Sequence, residues 1–120
     1  MIEVFKEFTF EAAHSLPFLP EGHKCRNVHG HSYHVTIYAK CLRRYLENGM
    51  VVDYADISAA WDELFAQLDH KFINDVSGLE VSTSEHLALW IFERMKAKTP
   101  RVFKVAVKET ATAGSIYVSE

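Results

Sequence analysis

Cysteine is scarce in this chain of 120 residues, where Cys25 and Cys41 are the only two. Two thiols are too few for a disulfide framework, so we expect a reducing compartment, the cytosol. No run of 18 uncharged apolar residues is present, which excludes a membrane-spanning helix. The first residues lack the basic and apolar regions of a signal peptide. No membrane partner is expected.

Positive charge is also in short supply, since 13 lysines and arginines stand against 16 acidic residues and the net charge is −3. A basic face for nucleic acid is therefore not expected. The chain shows no repeat and no linker, and 48% of its residues are hydrophobic and 24% charged. These values are typical of a globular protein, and the length predicts a single domain over residues 1–120.

Histidine, by contrast, is well represented, with seven residues. Hydrophobic periodicity places them on a predicted framework of strands and helices. Asp53 and the Ser82–Glu85 capping-box pattern mark the two helix starts. In chain order we predict strands at 3–12 and 29–40, a helix from the Asp53 cap to Leu68, a helix from the Ser82 cap through Met95 that ends before Pro100, and strands at 102–109 and 115–118. This order predicts an α+β fold, an antiparallel sheet with both helices on one face. Its edge strands would be exposed, which predicts association through sheet edges.

Three histidines have the spacing of a metal site. His29 and His31 flank Gly30 at the start of the second strand and point to one face of the sheet. Gly30 would let another backbone approach closely. His14 ends the first strand in phase with Phe10, so pairing of the two strands would bring three imidazoles together. Three nitrogens with an open fourth position describe a catalytic zinc site. The alternative is a solvated histidine pair without metal.

Other candidate groups each have a structural alternative. Cys25, four residues before His29, is either a reactive thiolate or a small buried hydrophobic residue. Asp69 could orient His70 if the first helix ends there, or His70 could simply interact with the helix dipole. Glu109, in phase with the apolar face of the third strand, is either a ligand-binding carboxylate or exposed beyond the strand end.

Five fragments in order resemble the 6-pyruvoyltetrahydropterin synthase family over about residues 3–118. They are FTFEAAH at 8–14, GHKCRNVHGH at 22–31, LDH at 68–70, STSE at 82–85 and VKET at 107–110. The resemblance implies the T-fold, a four-stranded antiparallel sheet with two helices on one face, assembled as a homohexamer from two trimers. It implies one Zn²⁺ per subunit on His14, His29 and His31. The Cys-x-x-x-His-Gly-His spacing is similar to that of the bacterial branch that forms 6-carboxy-5,6,7,8-tetrahydropterin in queuosine biosynthesis, a tRNA-modification pathway.

The resemblance also implies roles for the remaining candidates. Cys25, Asp69 and His70 would transfer protons, and Glu109 with Thr110 would bind the pterin. Lys24, Arg26 and Lys108 are triphosphate candidates by charge alone. The implied reaction is a carbon–carbon lyase reaction that converts 7,8-dihydroneopterin triphosphate to 6-carboxy-5,6,7,8-tetrahydropterin, acetaldehyde and triphosphate. The alternatives are a 6-pyruvoyltetrahydropterin synthase and a non-catalytic zinc-bearing pterin-binding protein.

Overall fold

A computed structural model describes all residues from 1 to 120. Its main elements are β1 (Ile2–His14), β2 (His29–Cys41), α1 (Tyr54–Leu68), α2 (Ser84–Lys98), β3 (Val102–Lys108) and β4 (Gly114–Val118). The strands form one antiparallel sheet in the order β1-β2-β3-β4. The predicted α+β architecture is confirmed. Neither helix is long and apolar enough to span a bilayer.

The sheet buries one face under the two helices. From Tyr33 to Ala39, every second residue of β2 is almost fully buried, and these residues are Tyr33, Val35, Ile37 and Ala39. Their neighbours in the chain point to the other face, as the period of two requires. α1 packs against β1 and α2, while α2 packs against β3 and β4. Side chains of both helices, including Trp61 and Ile91, join those of the sheet in one hydrophobic core.

The helix starts show one confirmed and one wrong prediction. Asp53 caps α1, with its Oδ1 accepting a hydrogen bond from the Ala55 N–H at 2.8 Å. α2 is capped instead by Thr83, whose Oγ1 accepts from the His86 N–H at 3.3 Å. Ser82, the predicted cap, is buried and lies beside His14. The cap of α2 therefore lies one residue after the predicted position. The Ser82 side chain contacts His14 at the end of β1 instead of capping the helix.

The close backbone approach that the sequence predicts at one glycine occurs at a different glycine. A Cβ added at Gly30 would lie 3.6 Å from the Ala12 carbonyl oxygen, an ordinary van der Waals distance. The predicted close backbone approach at Gly30 is therefore wrong. It occurs at Gly114, where a Cβ would overlap the Val107 carbonyl and lie 2.7 Å from the Lys108 Cα. The absence of a side chain at Gly114 lets β4 begin tightly against the end of β3.

Candidate metal centre

The pairing of β1 with β2 brings three imidazoles together. The register places His14 opposite His29, and Ala12 opposite His31. Ring centroids lie 4.6 Å apart for His14 and His29, 5.1 Å for His14 and His31, and 4.9 Å for His29 and His31. One ring nitrogen from each lies within 4.8 Å of the other two. We call these residues the three-histidine group.

Backbone carbonyls orient two of the three rings. The Nδ1 atom of His14 lies 2.8 Å from the Ser82 carbonyl oxygen, and that of His29 lies 2.8 Å from the Asn27 carbonyl oxygen. A ring that donates from Nδ1 to a carbonyl keeps its Nε2 lone pair free for a metal. The Nε2 atom of His14 is buried and has no hydrogen-bond partner. The donor set therefore fits a transition metal with three imidazole ligands.

The environment favours neutral imidazoles. Burial lowers the pKa of His14 below its usual 6.5, although its hydrogen bond to the Ser82 carbonyl acts in the opposite direction. Burial also lowers the pKa of His31, against the opposing effect of the Glu109 charge. Because a metal binds the neutral ring, both shifts keep the ligands in the metal-binding form near neutral pH.

Glu109 lies beside this group, although β3 ends one residue earlier. Its Oε2 atom is 3.5 Å from the His31 Nε2 and 3.9 Å from the His14 Nε2. The carboxylate is 28% exposed, so it is neither buried in the core nor free in solvent. Of the two alternatives left by the sequence, the structure supports a carboxylate at the site.

Thr110 follows Glu109 in the turn before β4. The N–H groups of Glu109 and Thr110 both donate to the Ala113 carbonyl, at 3.1 Å and 3.3 Å. The Thr110 hydroxyl accepts from the Thr112 N–H at 3.3 Å. The turn thus holds Glu109 in place through backbone hydrogen bonds, and Thr110 contributes its hydroxyl to that turn.

Cys25 lies in a short 3₁₀ turn, Lys24–Arg26, with a half-buried thiol. Its N–H donates to the His23 Nδ1 and its carbonyl accepts from the Leu16 N–H. These bonds tie the loop to the chain just beyond β1. Cys25 is not a member of the three-histidine group. The sulfur is therefore placed as a separate group rather than a fourth ligand.

Arg26 has a structural role in the same loop. Its Nη1 atom donates to the carbonyls of Pro17 and Leu19, both at 2.9 Å. This guanidinium closes the loop on itself. Because Arg26 donates hydrogen bonds within the loop, it is a weaker candidate for triphosphate binding than its charge alone suggested.

Asp69 and His70 form a direct pair because α1 ends at Leu68. The Asp69 Oδ2 lies 2.7 Å from the His70 Nδ1, and the Asp69 Oδ1 accepts from the Glu11 N–H at 2.9 Å. That backbone bond is the main cause that lowers the pKa of Asp69, with the His70 bond next. The carboxylate thus stays ionised and orients the imidazole.

His70 is presented to solvent at the outer edge of β1. Its side chain is 78% exposed and its φ angle is +56°. The left-handed backbone is unusual for a residue other than glycine and often marks functional positions. Within one chain, neither Asp69 nor His70 joins the three-histidine group.

Two features of the site had no clear sequence signal. The carbonyls of Asn27 and Ser82 could not be predicted, because every residue type has a carbonyl. The Tyr33 hydroxyl, buried without a hydrogen-bond partner, was expected only as part of the apolar face. Its ring stacks on Phe10 and lies 5.4 Å from His31, and burial raises its pKa. The Tyr33 ring therefore packs against the three-histidine group from the buried core.

Comparison with known proteins accounts for this combination of sheet and site. The family model for 6-pyruvoyl tetrahydropterin synthase matches residues 3–120. The chain belongs to this family. The match covers almost all of the chain and confirms the resemblance drawn from the five fragments.

Relatives within the 6-pyruvoyl tetrahydropterin synthase family agree in sequence and in fold. The chain is 44% identical to a Synechocystis protein named 6-carboxy-5,6,7,8-tetrahydropterin synthase, covering 97% of this chain and 92% of that protein. It is 38% identical to an Archaeoglobus fulgidus protein named as a putative enzyme of the same kind, covering 84% and 82%. The Caenorhabditis elegans 6-pyruvoyl tetrahydropterin synthase structure superimposes with a TM-score of 0.84 at 26% identity, covering 99% and 96%. The T-fold is therefore the fold of this chain.

Proposed function

We propose that this protein is a 6-carboxy-5,6,7,8-tetrahydropterin synthase. With one molecule of water, it converts 7,8-dihydroneopterin triphosphate to 6-carboxy-5,6,7,8-tetrahydropterin and releases acetaldehyde and triphosphate. The observation that carries the proposal is the three-histidine group, present in a chain 44% identical to a Synechocystis protein of that name. The proposed context is queuosine biosynthesis in the cytosol. The two free cysteines agree with a reducing compartment.

The proposed metal is zinc, with one ion per subunit held by His14, His29 and His31. When bound, zinc would act as a Lewis acid toward substrate oxygens and would favour loss of a proton from the adjacent carbon. The imidazoles would enter from one side, since all three come from one end of the β1–β2 pair. The side chains of His31 and Glu109 are 18% and 28% exposed, so this end of the group can be reached from solvent, which supports an open coordination position.

Proton transfer is assigned to two separate groups. The Cys25 thiol, half-buried in its 3₁₀ turn, would take a proton from the substrate side chain. The Asp69 carboxylate would hold His70 through Nδ1, so that its exposed Nε2 exchanges a proton at a second substrate atom. Two groups suit a reaction in which triphosphate loss and carbon–carbon cleavage move protons at different atoms.

Glu109 and Thr110 are proposed to bind the pterin. A carboxylate can accept two parallel hydrogen bonds from the amino group and the ring N–H of a pterin. Glu109 lies beside the Nε2 atoms of His14 and His31, so a pterin held there would have its side chain next to the metal ligands. Thr110 would support the same edge of the ring from the adjoining turn.

We propose that the active form is a homohexamer of two stacked trimers. β1 and β4 are the edge strands of the sheet, and the backbone of β1 near Glu11 and Ala13 bonds outward to residues 69–71. Residues 69–71 therefore already occupy this end of the β1 edge, and a neighbouring sheet would join the rest of β1 beside Asp69 and His70. This position supports a site to which one subunit contributes the three-histidine group and another contributes the Asp–His pair.

The test is product identification after incubation with 7,8-dihydroneopterin triphosphate. We expect 6-carboxy-5,6,7,8-tetrahydropterin and acetaldehyde in equal amounts, measured by chromatography with mass spectrometry and by an alcohol-dehydrogenase-coupled assay. Accumulation of the pyruvoyl product without acetaldehyde would instead identify a 6-pyruvoyltetrahydropterin synthase. Tight substrate binding without turnover would identify a non-catalytic pterin-binding protein.

A further inference from the structure

Asn74 lies outside the candidate set but uses its whole side-chain amide in hydrogen bonds. It occupies the short 3₁₀ turn Ile73–Asp75 that follows the Asp69–His70 pair. Its Oδ1 accepts from the Ser15 N–H at 3.0 Å, and its Nδ2 donates to the Ser15 carbonyl at 2.9 Å. Nδ2 also donates to the Glu80 carbonyl at 3.1 Å. One amide thus ties the end of β1 to the segment that precedes α2.

These two segments are the ones that hold His14. Ser15 directly follows His14, and Ser82 lies two residues beyond Glu80. The Ser82 carbonyl lies 2.8 Å from the His14 Nδ1, and the Ser82 hydroxyl donates to the Ser15 carbonyl at 3.3 Å. His14 is 1% exposed, so its ring has no room to reorient without moving these segments.

We propose that Asn74 is a positioning residue of the metal centre, and that it acts by fixing the direction of the His14 Nε2. The Ser15 bonds hold the backbone that carries the imidazole, while the Glu80 bond holds the loop that supplies the carbonyl for Nδ1. Partners that orient a metal ligand in this way commonly affect metal affinity by about 10–100-fold. The inference rests on the metal site proposed above.

The sharpest variant is Asn74→Asp, which is nearly isosteric. The carboxylate keeps an acceptor for the Ser15 N–H but loses both donors, and it faces the Ser15 and Glu80 carbonyls with a negative charge. Asp75→Asn is the matched control. It replaces a carboxylate with an amide at the next residue, which is the reverse of the Asn74→Asp change. The Asp75 side chain is exposed and makes no hydrogen bond to the rest of the protein.

Zinc affinity of the metal-stripped full chain tests the inference by competition with a chromophoric chelator. We expect Asn74→Asp to weaken zinc binding by about 10–100-fold and Asp75→Asn to leave it unchanged. The Co²⁺-substituted Asn74→Asp protein should show an altered d–d absorption spectrum, which a change confined to folding stability would not produce. Circular dichroism verifies that each variant is folded.

The possible outcomes distinguish a failure of the role proposed for Asn74 from a failure of the metal site. Equal zinc affinity and an identical Co²⁺ spectrum in the wild type and Asn74→Asp would overturn the role of Asn74 while the metal site stands. A wild-type protein that binds no zinc would overturn both. If Asn74→Asp does not fold, Asn74→Ala decides, since it removes the bonds to Ser15 and Glu80 without placing a negative charge against their carbonyls. Its zinc affinity should fall several-fold, and an unchanged value would overturn the inference.

Discussion

At the residue scale, the chemistry of the site depends on which atom of each ring is engaged. Carbonyl oxygens occupy the Nδ1 positions of His14 and His29, which leaves Nε2 for a metal. A carboxylate occupies the Nδ1 of His70, which leaves its Nε2 for proton exchange. The same side chain is therefore a candidate ligand in one place and a candidate acid or base in another, because its neighbours differ.

Replacing Cys25 with alanine should separate catalysis from metal binding. Turnover should fall by about 10²–10⁴-fold, the usual contribution of a general acid or base. Zinc affinity should be unchanged, because the thiol is not a member of the three-histidine group. Steady-state kinetics and chelator competition measure the two effects. Cys41→Ala, which alters the other cysteine in the core, should keep wild-type turnover. Full activity in Cys25→Ala would show that the proton-transfer role is wrongly assigned.

His70→Gly should stabilise the protein while removing activity. A left-handed backbone costs a residue with a Cβ about 1–2 kcal/mol, and the extra freedom of glycine in the unfolded chain returns about 0.5–1 kcal/mol of that. A net gain of up to about 1.5 kcal/mol in the free energy of unfolding is expected by urea denaturation. Asn48→Gly, at φ +53° in the turn before α1, should gain less and keep turnover. Because His70→Gly and His70→Ala both lose the hydrogen bond to Asp69, a glycine variant no more stable than the alanine variant would contradict the assigned strain.

At the element scale, alternation in β1 and β2 was enough to predict the centre of the site. His14, Phe10 and Ala12 share one face, as do His29, His31 and Tyr33, so any antiparallel pairing in the observed register brings the histidines together. The loops were less predictable. Ser82 read as a helix cap because its hydroxyl precedes an acidic residue by three positions. Its actual role depends on where the segment before α2 returns to β1, which long-range packing decides.

Glu109 shows the same limit at a strand end. Its phase with β3 indicated the correct face, but its approach to His14 and His31 depends on the turn that joins β3 to β4. That turn is held by hydrogen bonds to the Ala113 carbonyl and by the tight start of β4 at Gly114. Local sequence did not predict this contact, because Gly114 read as an ordinary turn residue.

Gly114→Ala should therefore destabilise the β3–β4 pair. The new Cβ would meet backbone atoms of Val107 and Lys108, which cannot rotate away as a side chain can. Overpacking of this kind costs about 1–3 kcal/mol, measured as a lower midpoint of urea unfolding. Gly30→Ala is the matched control, because its Cβ would lie at an ordinary 3.6 Å from the Ala12 carbonyl oxygen. Equal stability of the two variants would contradict the close approach at Gly114.

At the scale of the whole molecule, the sheet is the unit that links assembly to chemistry. One end of the β1–β2 pair carries the three-histidine group, and the outer edge of β1 carries Asp69 and His70. Because the two sets are separate within one chain, the proposed joining of sheets at their edges would complete the proposed site. This explains how a short chain with a small core could support a reaction with several proton transfers.

In the proposed reaction, the release of acetaldehyde from 7,8-dihydroneopterin triphosphate requires one zinc ion on the three-histidine group. Titrating zinc into the metal-stripped protein, with acetaldehyde release as the readout, tests it most directly. The rate should rise linearly and stop at one zinc per chain, and His29→Ala should show no such rise. Acetaldehyde release that is already maximal without added zinc, and that is unchanged in His29→Ala, would show that the reaction does not need zinc on the three-histidine group.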